Sequence, residues 1–122
     1  MIVAGFGFST RAGLDSLRDA LKQACDATGV SPDALATADD KADKLQELAT
    51  TLALPVVAVT AEALSQQKTI TQSARAIQER ATGSVAEASA LAAAGPGARL
   101  LTPRLHAQDS LSTCALAQGA TS

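Results

Sequence analysis

There is no Trp and no Tyr in the 122 residues, and Phe is confined to Phe6 and Phe8. Single-stranded nucleic acid is held on aromatic side chains that stack against successive bases, so this composition excludes a stacking platform. Basic residues are not in excess: ten Lys and Arg against twelve Asp and Glu leave a formal net charge of −2. The basic footprint that duplex DNA or RNA requires is therefore missing, and any anion site must be a local cluster of cations. Long apolar runs are also lacking. Met1-Ile2-Val3-Ala4-Gly5 has no basic residue before it and breaks early at Gly5, which does not fit a secretory signal. The Ala-rich stretch from Val85 to Ala94 is interrupted by Glu87 and Ser89 and stops at Gly95-Pro96, well short of the ~20 apolar residues of a membrane span. A soluble, cytoplasmic protein with no membrane or nucleic-acid partner is expected. The only cysteines, Cys25 and Cys114, lie far apart and read as reduced thiols. Each falls on an apolar face, and both are expected to be mostly buried. The single histidine, His106, has no Cys or carboxylate at metal-ligand spacing and falls in a polar stretch, so it is expected to be solvent-exposed; no metal site and no cofactor is predicted.

What is present is apolar periodicity, in a length that fits one domain, taken as residues 1–118 with a loose tail over 119–122. Ile2 to Phe6 is a short β-rich run, and Arg11 to Thr28 carries Leu14, Leu17, Leu21, Ala24 and Cys25 at helical spacing. Gly29 closes that helix, and Leu35 to Ala38 reads as a second strand. Leu45, Leu48, Ala49 and Leu52 mark a second helix, followed by Val56-Val57-Ala58-Val59, a continuous apolar run of the kind buried on both faces. Repeated strand, helix, strand order predicts a parallel sheet with the first three strands adjacent. Further on, short helices are predicted near Ala61 to Gln66, around Ala74 to Ala81 and from Ser84 to Ala94. Arg99 to Thr102 and Leu111 to Ala117 then read as a hairpin, making the sheet mixed.

Three segments carry possible chemistry. Gly5-Phe6-Gly7-Phe8-Ser9-Thr10 sits between the first strand and first helix, where glycines permit a sharp turn and helix N–H groups can meet an anion. It lacks the third Gly and distal acid of a dinucleotide site and the Lys of a phosphate-binding loop. Two readings remain, a turn capped by Ser9 or Thr10 and a non-nucleotide anion site. Thr37 to Lys44 follows the second strand, so Gly7 to Arg11, Thr37 to Lys41 and Thr60 should line a common crevice at one sheet edge. Alternatively, Asp39, Asp40 and Asp43 cap the second helix while Lys41 and Lys44 are solvated. Finally, Ser84 and Glu87 have the spacing of a reciprocal helix cap, beside which a direct ligand role stays open. No hydrolase nucleophile motif is present.

In order and spacing, several segments resemble the CobE family and the C-terminal domain of CbiG, both of cobalamin biosynthesis. They are Val3-Ala4-Gly5-Phe6-Gly7-Phe8, Thr37-Ala38-Asp39-Asp40-Lys41-Ala42-Asp43, Leu54-Pro55-Val56-Val57 with Thr60-Ala61-Glu62-Ala63-Leu64, Gly83-Ser84-Val85-Ala86-Glu87-Ala88-Ser89-Ala90-Leu91, and Leu100-Leu101-Thr102-Pro103-Arg104. The ending Thr113-Cys114-Ala115-Leu116-Ala117 is closer to the stand-alone CobE branch, and the length leaves no room for the N-terminal domain of CbiG. Where family members often carry basic residues after the opening Gly-x-Gly, this chain has Ser9 and Thr10. The resemblance implies a three-layer α/β/α fold with a mixed, mostly parallel sheet. It also implies a precorrin or corrin intermediate as partner, a flat ring with many acetate and propionate carboxylates, and other cobalamin-pathway enzymes as possible partners. Candidate ligand contacts are then Gly5, Gly7, Ser9, Thr10, Arg11, Thr37, Asp39, Lys41, Ser84, Glu87 and Arg104. Two functions are compatible with it. One is binding and handing on the intermediate. The other, implied by CbiG-like proteins, is hydrolysis of a cobalt-precorrin lactone, with Asp39 or Glu87 activating a water and Lys41 steadying the oxyanion. The lack of an acid/base pair favours binding, and no catalytic residue is assigned.

Overall fold

The computed structural model describes residues 1–120. In it, strands β1 (Ile2–Phe8), β2 (Ala34–Ala38) and β3 (Val56–Val59) alternate with helices α1 (Leu14–Thr28) and α2 (Ala42–Leu52), and three successive helices, α3 (Ala61–Ser65), α4 (Ala74–Arg80) and α5 (Val85–Ala94), precede the strand pair β4 (Arg99–His106) and β5 (Ser112–Gln118). The sheet order is β3-β2-β1-β5-β4. Strands β1, β2 and β3 are mutually parallel, while β5 runs antiparallel to both β1 and β4. Successive side chains of a strand point to opposite faces, and each face is covered. Ala4, Phe6, Leu35, Cys114 and Leu116 meet Leu17, Ala20 and Leu21 of α1 and Leu45 and Leu48 of α2. On the opposite face Val3, Ala36, Ala38 and Val59 pack with Leu64 of α3 and Ala88 of α5, and Ala117 packs with Ala90 and Leu91. The result is a three-layer α/β/α fold, as the family resemblance implies, with the mixed sheet that the strand pattern predicts.

Several boundaries differ from the sequence reading, each for a physical reason. β1 continues to Phe8, so the two glycines lie within a strand and neither has positive φ. Gly5 is needed for close packing: a Cβ there would overlap the Ala86 carbonyl oxygen and come within 2.5 Å of the Ala90 nitrogen of α5. α1 begins at Leu14 with Gly13 as N-cap, and neither Ser9 nor Thr10 caps it; the Ser9 hydroxyl instead accepts from the Arg11 N–H at 3.2 Å. The aspartates do not cap α2 either. Asp39–Lys41 forms a 3-10 turn, and Lys41 occupies the N-cap position without a side-chain bond. β3 is an edge strand rather than one buried on both faces: Ala58 is exposed, and Val56 and Val57 are only half-buried. β4 extends to His106 and shifts register against β5 between Leu100 and Thr102 and between Thr102 and Leu105. At the C-terminus, the Gly119 N–H donates to the Met1 carbonyl at 2.9 Å, so the first residue of the expected loose tail is tied to the sheet. Thr121 and Ser122 lie outside the described residues. No described helix is long and apolar enough to cross a membrane.

Candidate functional site

Parallel strands deliver their carboxyl ends to one edge, and ligands of open α/β sheets bind in the crevice there. The carboxyl ends of β1 and β2 border such a crevice, of about 370 Å³. Its floor is Gly7, Phe8, Ser9 and Thr10 at the end of β1, with Thr37, Ala38 and Lys41 from the end of β2 and the turn beyond. One wall is α4, through Ser73, Arg75, Ala76, Glu79 and Arg80. The other is Arg104 and His106 of β4 with Ser110 to Thr113 entering β5. The shared edge predicted for Gly7 and Lys41 is thus present.

Lys41 supplies the cation of the floor. Its ammonium donates to the Phe8 carbonyl at 2.8 Å and sits 5.1 Å from the Phe8 ring centroid. Burial, and secondarily the positive charge of Arg80, hold its pKa below the usual lysine value, against the attraction of Asp40. An ammonium has three donors, so two remain for another acceptor. The Thr37 hydroxyl is buried and donates to the Phe6 carbonyl at 2.8 Å, fixing β2 to the end of β1. Across the mouth, Arg80 forms a bidentate pair with Asp40, at 2.7 and 2.9 Å, and this hydrogen-bonded pairing lowers the Asp40 pKa.

The remaining candidates fall outside the lining. Gly5 is covered by α5. Arg11 and Asp39 are exposed and do not border the crevice. Thr60 caps α3 instead, accepting from the Ala63 N–H at 3.1 Å. Ser84 caps α5, accepting from the Glu87 N–H at 3.2 Å. The reciprocal half of the predicted cap is not made. Glu87 is fully buried, and its carboxylate accepts from Ile70 N–H (2.6 Å), Thr71 N–H (3.0 Å), the Thr71 hydroxyl (2.5 Å) and Arg104 N–H (3.0 Å). Burial alone would raise its pKa, but these hydrogen bonds outweigh burial and the net shift is downward.

Sequence reasoning missed Arg75, Glu79 and Arg80. The α4 segment has no buried residue, and its Ile77 is 47% exposed, so no apolar stripe assigned its faces. His106, in a polar stretch of the sequence, ends β4, exposed as expected but bordering the crevice. Among the described residues no group of three or more His, Cys, Asp and Glu side chains could hold a metal ion.

Fold and crevice together define a class: a three-layer α/β protein with a cation-lined cleft at the carboxyl edge of its parallel strands. Residues 2–117 match the family described as cobalamin synthesis G C-terminus, and the chain belongs to that family. Among solved structures it is similar to CobE, a protein from the cobalamin (vitamin B12) biosynthetic pathway, with 34% identity, a TM-score of 0.87, and coverage of 100% of this chain and 92% of that one. It is likewise similar to the cobalamin biosynthesis protein chiG of Agrobacterium tumefaciens, with 36% identity, a TM-score of 0.77, and coverage of 99% and 100%. A putative cobalamin biosynthesis protein G homolog of Sulfolobus solfataricus shares the fold at 21% identity and a TM-score of 0.74, over 95% of this chain and 36% of that one. No curated protein sequence matches significantly. The chain is a protein of cobalamin biosynthesis.

Proposed function

We propose that the crevice binds a carboxylate-rich precorrin or corrin intermediate and that the protein hands it on to another enzyme of the pathway. One observation carries this reading: Lys41, Arg75, Arg80 and Arg104 line the crevice against the carboxylate of Glu79 in the lining and that of Asp40 at its mouth, a local excess of cations in a chain whose overall formal charge is −2. Cations gathered against the net charge of the molecule attract a polyanion, and charge-assisted bonds to carboxylates are among the stronger hydrogen bonds. Hydroxyls of Ser9, Thr10, Ser73, Ser110 and Thr113 add neutral polar contacts. Among the described lining residues Phe8 is the only Phe, Tyr or Trp, so the ring face is left mainly to Val85, Leu111 and alkyl stems. A volume of about 370 Å³ is at the low end for ligand sites. A macrocycle therefore inserts one carboxylate-bearing edge and leaves the rest accessible to a receiving enzyme.

Binding is favoured over lactone hydrolysis because neither proposed base faces the crevice: Asp39 lies outside it, and both oxygens of Glu87 already accept hydrogen bonds from the chain itself. The test is titration of the protein with cobyrinic acid, a corrin with free carboxylates, and with cobinamide, the same ring with amides, followed by the visible spectrum. Saturable binding of the acid with much weaker binding of the amide is expected. Equal binding of both would remove the carboxylate basis of the proposal.

A further inference from the structure

We propose that Arg104 is the main carboxylate anchor of the crevice and that Glu87, which no ligand reaches, is its positioning residue; the inference rests on the binding reading above. Of the crevice cations, Arg80 is committed to Asp40 at 2.7 and 2.9 Å, Arg75 to Glu79 at 3.2 Å, and Lys41 to the Phe8 carbonyl at 2.8 Å. Arg104 alone has a guanidinium with no hydrogen-bond or ion-pair partner among the described residues, although it borders the crevice. A guanidinium presents a rigid fork of donors matched to both oxygens of a carboxylate, so it can clamp a propionate or acetate without first breaking an internal pair.

The backbone around Arg104 is built to present it. Between Thr102 and Leu105 the β4 strand shifts register against Leu116 and Cys114 of β5, and this stretch contains Pro103, which has no N–H. Such bulges re-aim side chains beside functional sites. Arg104 has no residue opposite it in that register, and its N–H donates to Glu87 Oε2 at 3.0 Å. The same carboxylate holds Ile70 and Thr71, the segment that leads into α4. That segment lies against Gly83, where a Cβ would come within 2.5 Å of the Thr69 hydroxyl and 2.8 Å of the Gln72 amide oxygen. It is tied there by the bond from Ser73 N–H to the Gly83 carbonyl, at 2.8 Å. One buried carboxylate thus sets the spacing between the β4 wall, which carries Arg104, and the α4 wall facing it.

The experiment is a double-mutant cycle read as affinity for cobyrinic acid, well below the melting temperature of every variant. Arg104→Ala should weaken binding roughly ten- to hundredfold, and Arg104→Lys should restore only part of it, because an ammonium cannot form the fork. Glu87→Gln should weaken binding in the wild-type background and add little in the Arg104→Ala background, since partners acting through one contact are not additive. A merely structural Glu87 would lower the melting temperature and leave the affinity of the folded protein unchanged, or weaken it equally in both backgrounds; either result overturns the positioning role. If Glu87→Gln does not fold, Thr71→Val, which removes one of the carboxylate's donors, takes its place in the cycle. Unchanged affinity in Arg104→Ala together with a loss in Lys41→Ala would refute the anchor and leave the crevice reading standing. Absence of binding by the wild type would refute the crevice reading itself.

Discussion

At Glu87 a carboxylate with no exposed surface accepts from four donors, drawn from Ile70, Thr71 and Arg104. Removing it takes the acceptor from N–H groups that are only part-buried, so each lost bond costs toward the lower end of the range of about 1–3 kcal/mol. Its pKa lies below the ordinary glutamate value, so the ionised form contributes stability that is complete above the unfolded value of ~4.3 and is lost as pH falls through the lower folded value. Urea midpoints should therefore change little on this account from neutral pH to about pH 5 and fall below about pH 4, more steeply for wild type than for Glu87→Gln. Parallel pH profiles would contradict the assignment. The thiols are a second case. Cys114 is fully buried, and desolvation pushes its pKa well above the usual value. Cys25 is less deeply placed, packed against the core from its edge, and its pKa is raised first by burial and then by Asp26. A thiol reagent should label Cys25 slowly in the native protein and Cys114 only on unfolding; equal native rates would contradict this.

At the scale of elements, the contact between α5 and β1 is the tightest constraint. Ala86 to Leu91 are all buried, and the helix approaches β1 over Gly5. Gly5→Ala places a methyl group against backbone atoms that no rotamer change can move, so it should cost about 3 kcal/mol or more, toward the upper end of overpacking effects. A chemical denaturation midpoint close to wild type would show that α5 can shift without penalty. Helix ends show the opposite mismatch. Ala53 and Ala81 close α2 and α4 in the left-handed region, each with φ of 56°, a conformation that favours glycine. Ala53→Gly should leave stability unchanged or raise it by up to about 1 kcal/mol, the relief of strain exceeding the extra freedom of the unfolded chain. Gly29, at φ 75°, already satisfies the same requirement for α1, and there the sequence identified the stop correctly.

For the whole molecule, charge placement matters more than charge number. Lys41 joins the end of β1 to the turn after β2 through the Phe8 carbonyl, so it is a brace as well as a proposed ligand contact. Lys41→Ala should weaken cobyrinic acid binding by roughly tenfold or more, with a small drop in melting temperature from the lost brace. Because the crevice is open to solvent, the wild-type affinity should fall as salt rises, and the variant should show a shallower dependence. Equal affinities and equal salt slopes would return Lys41 to a structural role alone.

How much of this was legible in the sequence follows from the range of each interaction. Periods of two and of 3.6 are written within a few residues, which is why Leu14, Leu17 and Leu21 identified α1 and why the strand order of β1 to β3 and the β4–β5 hairpin could be anticipated. Family membership was legible for the same reason, as ordered local motifs. Three features were decided only when distant segments met. Gly5 looks like a turn glycine until α5 lies across it. Glu87 looks like half of a local cap until residues 16 and 17 positions away supply its donors. Arg80 looks like a solvated helix charge until Asp40, 40 positions earlier, reaches it across the crevice mouth. Local sequence determines which element a segment forms, because that depends on its own backbone and spacing. Which polar groups remain unpaired and available to a ligand depends on partners brought together by the packed sheet, and only the tertiary structure decides that.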